Sequence, residues 1–153
     1  MPFQPLILQT EADTAALAQR IAPLLQAGDT LLLSGPIGAG KSYFARALIR
    51  ARLGNDTEEV PSPSFTLVQT YQAADVEIWH CDLYRLTTVQ DVWELGLDEA
   101  FVRAICLIEW PDRLGDMAPE TALEMIFAAA DGHHLLTLRG AEAWAERLEG
   151  VLA

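Results

Sequence analysis

Thr30-Leu31-Leu32-Leu33-Ser34-Gly35-Pro36-Ile37-Gly38-Ala39-Gly40-Lys41-Ser42, with the run Tyr43 to Leu53 behind it, decides the fold. Thr30 to Ser34 is a nearly unbroken apolar run, as expected of a strand buried on both faces. Gly35 to Ser42 then matches GxxxxGK[ST], and Phe44, Ala47, Leu48 and Ala51 fall on one face of a helix stopped near Gly54. A strand, a glycine-rich loop and a helix in this order form a phosphate-binding loop. The glycines let the backbone curl and aim several N–H groups at one anionic centre. The helix begins there, so its unpaired N–H groups and its dipole face the same centre. Gly38, Ala39, Gly40, Lys41, Ser42 and Tyr43 are the expected nucleotide-binding residues. Lys41 is expected to reach the β- and γ-phosphates and the Ser42 hydroxyl to ligate Mg²⁺.

Outward from the loop, Pro5 to Gln9 reads as a short strand. Thr10 can cap a helix over Glu11 to Gln26, with Asp13 in its first turn and Leu17, Ile21, Leu24 and Leu25 at helical spacing. Asn55 to Pro63 is polar and proline-bearing, a surface loop. Phe65 to Tyr71 and Val76 to Asp82 are strand-like. Thr88 to Arg103 reads as one or two short helices broken near Gly96, and Ala104 to Glu109 as another buried strand. Pro111 to Met117 is a turn or short helix. Leu123 to Ala129 and His134 to Arg139 can pair as a hairpin across Asp131-Gly132, and Ala141 to Leu152 closes the chain as an amphipathic helix. The expected fold is α/β: a three-layer P-loop NTPase domain over residues 1–153, with a mainly parallel central sheet and an antiparallel C-terminal hairpin.

A phosphate loop needs an acid near its metal, and the carboxyl end of a neighbouring strand supplies it. Ile105-Cys106-Leu107-Ile108-Glu109 and Val76 to Asp82 both end in one. Glu109 is favoured as the metal-associated acid. Asp82 is then placed to orient or activate the attacking water, or to hold the metal's water shell. Lys41, Asp82 and Glu109 form the expected catalytic set.

The chain has 153 residues and a formal net charge of -12. Nucleic-acid affinity comes largely from Lys and Arg releasing counterions, so this surface argues against strong RNA or DNA binding without a basic partner. The charged inventory contains one lysine, Lys41, inside the loop, beside nine arginines. Cys81 and Cys106 lie in apolar runs without CxxC or zinc spacing, which reads as two buried, reduced thiols. No apolar run approaches a membrane span. Met1 to Gln4 carries no basic segment ahead of an apolar core, so no secretory leader is expected and a cytoplasmic location is.

Five stretches then fall in a telling order: GPIGAGKS (35–42), VPSPSFTLVQTY (60–71), HCDLYRL (80–86), LGLDE (95–99) and LIEWP (107–111). This order resembles the TsaE (YjeE) family from Glu11 to Pro111. HxDLYR and IEWP are far more specific than the glycine loop. The resemblance implies an ATPase that serves formation of N6-threonylcarbamoyladenosine beside the tRNA anticodon. Such an ATPase joins a TsaB–TsaD heterodimer and hydrolyses ATP with Mg²⁺ to permit repeated turnover, with tRNA held by the partners. It further implies that Ser42 and Glu109 hold the metal and that Ser64, in Ser62-Pro63-Ser64-Phe65, senses the γ-phosphate. Trp110 corresponds to the tryptophan after the metal acid. Glu11 and Thr14 match positions near the nucleotide. Pro36 stands where many members have Asp, Ser42 and Ser64 where Thr is commoner, and His133 or His134 where a hairpin arginine is frequent.

Other residues admit plainer readings. His80 is expected as a hydrogen-bonded strand histidine that positions Asp82 or a phosphate-side water. Arg85 pairs locally, stabilises transition-state charge or meets the partner; His80, Arg85, Ser64 and Trp110 together are the expected switch or partner-sensing residues. Trp79, Trp93 and Trp144 read as packing residues. The competing function is a small-molecule or nucleoside kinase. It usually needs an arginine-rich lid, and after Arg46, Arg50 and Arg52 no further arginine cluster appears.

Overall fold

The computed structural model describes residues 5–152. Met1 to Gln4, on which the expectation about a leader rests, lie outside them. Among the described residues seven strands form one mixed sheet with helices on both faces. In chain order these are β1 (Leu6–Leu8), α1 (Glu11–Ile21), β2 (Thr30–Ser34), α2 (Lys41–Leu53), β3 (Val68–Gln72), β4 (Glu77–Asp82), α3 (Val89–Trp93), α4 (Leu97–Arg103), β5 (Ile105–Glu109), β6 (Leu123–Ala130), β7 (His133–Arg139) and α5 (Glu142–Leu152). The sheet order is β1-β7-β6-β2-β5-β4-β3. β6, β2, β5 and β4 run parallel, while β7 and β3 pair antiparallel with their neighbours. The expected α/β fold is therefore the observed one, with the hairpin β6–β7 turning at Asp131-Gly132.

The pleat explains why Leu31 to Leu33 of β2 and Ile105 to Ile108 of β5 are apolar without a break. Leu31 and Leu33 of β2, with Ile105 and Leu107 of β5, face α1, α2 and α5 and join Phe44, Leu48, Trp144 and Leu148. Leu32, Cys106 and Ile108 point the other way and meet Val92, Leu97 and Ala100 of α3 and α4. A strand covered on both faces cannot afford a polar alternate.

Local chemistry sets the ends. Thr10 caps α1: its Oγ1 accepts the Asp13 N–H at 3.2 Å, and Asp13 Oδ2 accepts the Thr10 N–H at 3.2 Å. The α-helix stops at Ile21 rather than running to Gln26. Pro23 has no N–H to continue the ladder, so Ala22–Leu24 tighten into a single 3-10 turn. The strand expected from Phe65 begins only at Val68. Residues 63–67 form a turn, and Leu67 takes a left-handed φ of 70°. Trp144 is core, whereas Trp93 on α3 is 48% exposed. No helix among the described residues is long and apolar enough to cross a membrane.

Candidate functional site

Parallel strands deliver their carboxyl ends to one edge, and the cleft lies there. α2 begins at Lys41, two residues before the expected Tyr43. Its first turn thus follows the glycine loop directly. Gly35 has φ +134°, and a Cβ there would fall 2.3 Å from the Phe127 carbonyl oxygen of β6. The loop passes so close to the sheet that only hydrogen fits. The Lys41 ammonium donates to the Gly35 carbonyl and lies 4.0 Å from the centroid of the Trp110 ring. Burial pushes its pKa below the ordinary lysine value, with Glu109 and Asp82 opposing the shift.

The two acids end adjacent strands, and Asp82 and Glu109 are direct register partners. Glu109 is 2% exposed. It accepts the Ser42 hydroxyl at 2.9 Å on Oε1, and its Oε2 lies 2.7 Å from His80 Nε2. Asp82 is held differently: Oδ1 accepts the Tyr84 N–H at 3.0 Å and Oδ2 the Ser64 hydroxyl at 3.3 Å. His80 meets Glu109, whereas the sequence offered Asp82 or a phosphate-side water as what it positions. The reason is register: His80 and Glu109 lie diagonally on one face of β4 and β5.

Ser64 links the 60–67 loop to Asp82, and Arg85 holds the same loop by donating to the Ser64 and Phe65 carbonyls at 3.1 and 3.3 Å. Trp110 takes a left-handed φ of 60°, and its ring packs 4.8 Å from that of Tyr84. A cavity of about 490 Å³ opens between these groups. Glu11, Thr14, Gly38, Gly40, Lys41, Ser42 and Tyr43 line it, as do Ser64, Asp82, Arg85, Glu109 and Trp110. Ala39 contributes differently, since its methyl is buried in the core and its N–H donates to Pro36 within the loop. His80 is buried behind Glu109.

Five lining residues were not among the expected site: Ile37, Arg46, Ser62, Tyr84 and His134. Arg46 lies one helical turn beyond Ser42, so helical spacing could have found it. His134 reaches the loop from β7, where a Cβ on Gly40 would lie 3.2 Å from its Nδ1. His133 instead turns to the Asp131 carbonyl. Arg50 and Arg52 are spent on Glu58, Ala22 and Leu25 carbonyls and on Asp75, outside the cleft.

Among the described residues no three His, Cys, Asp or Glu side chains converge as a metal cage. The cleft offers a hydroxyl and a carboxylate in contact, with a second carboxylate beside them. Such a part-complete set of hard oxygens fits Mg²⁺, which keeps waters and takes its remaining ligands from substrate phosphates.

Comparisons with known proteins agree with one another. The family model for "Threonylcarbamoyl adenosine biosynthesis protein TsaE" matches residues 8–135. A tRNA threonylcarbamoyladenosine biosynthesis protein TsaE of Rickettsia conorii is 37% identical over 129 residues, 84% of this chain and 73% of that protein. The Bacillus subtilis protein of that name is 34% identical over 119 residues, 77% and 73% of the two chains. The crystal structure of Bacillus subtilis YdiB superposes with a TM-score of 0.80 at 26% identity, covering 99% of this chain and 95% of that one.

Proposed function

The chain belongs to the TsaE family of tRNA threonylcarbamoyladenosine biosynthesis proteins, and on that premise we propose that it is a P-loop ATPase. In this reading it binds a TsaB–TsaD-type heterodimer and hydrolyses ATP to allow repeated rounds of tRNA modification. The observation that carries the ATPase reading is the convergence of Lys41, Ser42, Glu109 and Asp82 on one cleft at the carboxyl edge of the sheet.

The roles follow from chemistry. Backbone N–H groups of residues 38–43 and the N-terminus of α2 bind the phosphates. Lys41 leaves the Gly35 carbonyl and the Trp110 face to neutralise the β- and γ-phosphates. Ser42 and Glu109 would hold Mg²⁺, which when bound neutralises charge on the phosphate oxygens. Asp82, fixed through both oxygens by Tyr84 and Ser64, orients the attacking water. Ser64 sits between Asp82 and the loop held by Arg85, so a γ-phosphate arriving there would be felt by the loop. Glu11, Thr14, Tyr43 and Arg46 line the same cavity and take the rest of the nucleotide.

A net charge of -12 supports tRNA contact through partners only. The cytoplasm, where that tRNA chemistry takes place, is the proposed location. The kinase reading gains nothing from Arg50 and Arg52, which are tied to the protein's own carbonyls. The test is a reconstitution with TsaB–TsaD, tRNA and ATP. The protein alone is expected to release phosphate slowly, and multiple-turnover modification is expected only when it is present. Lys41→Ala should abolish that support; a variant that sustains turnover like wild type refutes the role of hydrolysis. Transfer of labelled γ-phosphate to a nucleoside would instead reveal a kinase.

A further inference from the structure

The Glu109 carboxylate is nearly inaccessible and is held from two sides. Ser42 donates to Oε1 at 2.9 Å, and His80 Nε2 lies 2.7 Å from Oε2. A carboxylate offers only acceptors, so a hydrogen bond across this contact requires the proton on Nε2. His80 is 1% exposed, and its other ring nitrogen, Nδ1, is buried without a hydrogen-bond partner among the described residues. A histidine retained only for packing would be expected to satisfy both nitrogens or to be replaced by an apolar residue. Here one nitrogen is left unsatisfied and the other is committed to the acid. Around the ring, β5 contributes Leu107 as its register partner and Glu109 on the diagonal, and β3 contributes Gln69 in register.

We infer that His80 is the positioning residue of Glu109: its Nε2–H fixes Oε2, so that the carboxylate presents one geometry to a metal held with Ser42. Free of that bond, Glu109 could rotate about its terminal torsion, which is intrinsically soft. Groups that orient a metal-binding side chain in this way typically govern metal affinity by about 10–100-fold. The inference rests on the Mg²⁺–nucleotide reading of the cleft. It adds that His80 acts on the metal through Glu109 and not on the nucleotide itself.

The experiment is a titration of a fluorescent ADP analogue, with and without Mg²⁺, into wild type, His80→Phe and His80→Gln. Gln places an amide N–H near the position of Nε2. His80→Phe is expected to raise the Mg²⁺ concentration for half-maximal binding by about 10-fold or more, and to leave binding in EDTA within about twofold of wild type. His80→Gln should recover most of the loss. An unchanged Mg²⁺ requirement in a folded His80→Phe overturns the inference, as does equal weakening in EDTA and in Mg²⁺. A second measurement needs only wild-type protein. Long-range proton–nitrogen NMR should show the proton on His80 Nε2, and its resonance should move when Mg²⁺ joins bound ADP. A proton found only on Nδ1 overturns the inference even where no variant folds. Wild type that binds no nucleotide would sink the underlying reading as well, whereas normal wild-type binding with indifferent variants sinks this inference alone.

Discussion

Adding one methyl group at Gly35 should damage this protein far more than the same change at Gly132. At Gly35 two costs coincide. The backbone sits at φ +134°, and the new Cβ would lie 2.3 Å from the Phe127 carbonyl oxygen and 3.1 Å from its carbonyl carbon. That neighbour is backbone of β6, held between β2 and β7, so it cannot swing away as a side-chain tip would. Overpacking of this kind costs about 1–3 kcal/mol, and a strained φ on a residue with a Cβ adds about 1–3 kcal/mol. The sum, about 2–6 kcal/mol, corresponds to a fall in Tm of about 4–24 °C at about 2–4 °C per kcal/mol for a chain of this size. Gly132, at φ +74° in the β6–β7 turn, has nothing within 4 Å of its Cβ position. There Gly132→Ala carries only the conformational part, about 1–3 kcal/mol. The assay is thermal and urea unfolding of both variants beside wild type. Because the Gly35 carbonyl also receives the Lys41 ammonium, nucleotide affinity should fall for Gly35→Ala as well. A Gly35→Ala protein that melts no lower than Gly132→Ala refutes the close approach of loop to sheet.

Two further outcomes follow from burial. Lys41 is pushed below its usual value of 10.5 by desolvation, against the pull of Glu109, Asp82 and Asp112. The ammonium form binds phosphate, so ADP affinity should decline with rising pH, beginning below 10.5, and binding in that range should take up protons. The folded state there holds fewer protons than the unfolded one. The stability cost of burying Lys41 is therefore full below its folded pKa and relieved as pH rises through it. Calorimetry in buffers of different ionisation enthalpy checks the uptake; affinity that stays flat past 10.5 contradicts the shift. Burial also raises both thiols, Cys106 to about 12 and Cys81 well above its ordinary range. At pH 8 the thiolate fraction of Cys106 is then about one in ten thousand, from the four-unit gap. A disulfide reagent should label neither cysteine in native protein and both in urea; rapid native labelling at pH 8 would count against the core placement.

The sequence was most legible where physics is local or symmetric. Thr10 with Asp13 announces a helix start, because capping is settled within four residues. β2 and β5 announce themselves because each is covered on both faces. The Phe65 region misled for the opposite reason: aromatic and β-branched residues suggest a strand, yet Phe65 is 86% exposed and Leu67 is turned left-handed. Pro23 was a readable stop that helical spacing alone overrode. The glycine loop and the acids Asp82 and Glu109 were visible as motif and strand ends. What Glu109 touches was not, because the His80 contact depends on a register between strands separated by two helices. The approach of His134 to the loop likewise depends on β7 folding back beside β6.

Parallel pairing of β2, β5 and β4 has an implication for how the cleft comes into being. Each of those pairings joins distant stretches of chain through a crossover, so Ser42, His80 and Glu109 become neighbours only after the slowest, most non-local contacts have closed. A peptide spanning the glycine loop and its helix would carry the phosphate motif without its acid. On the proposed reading of the cleft, competence to handle a metal-bound nucleotide is thus a late-maturing property, absent until the middle of the sheet has zipped together.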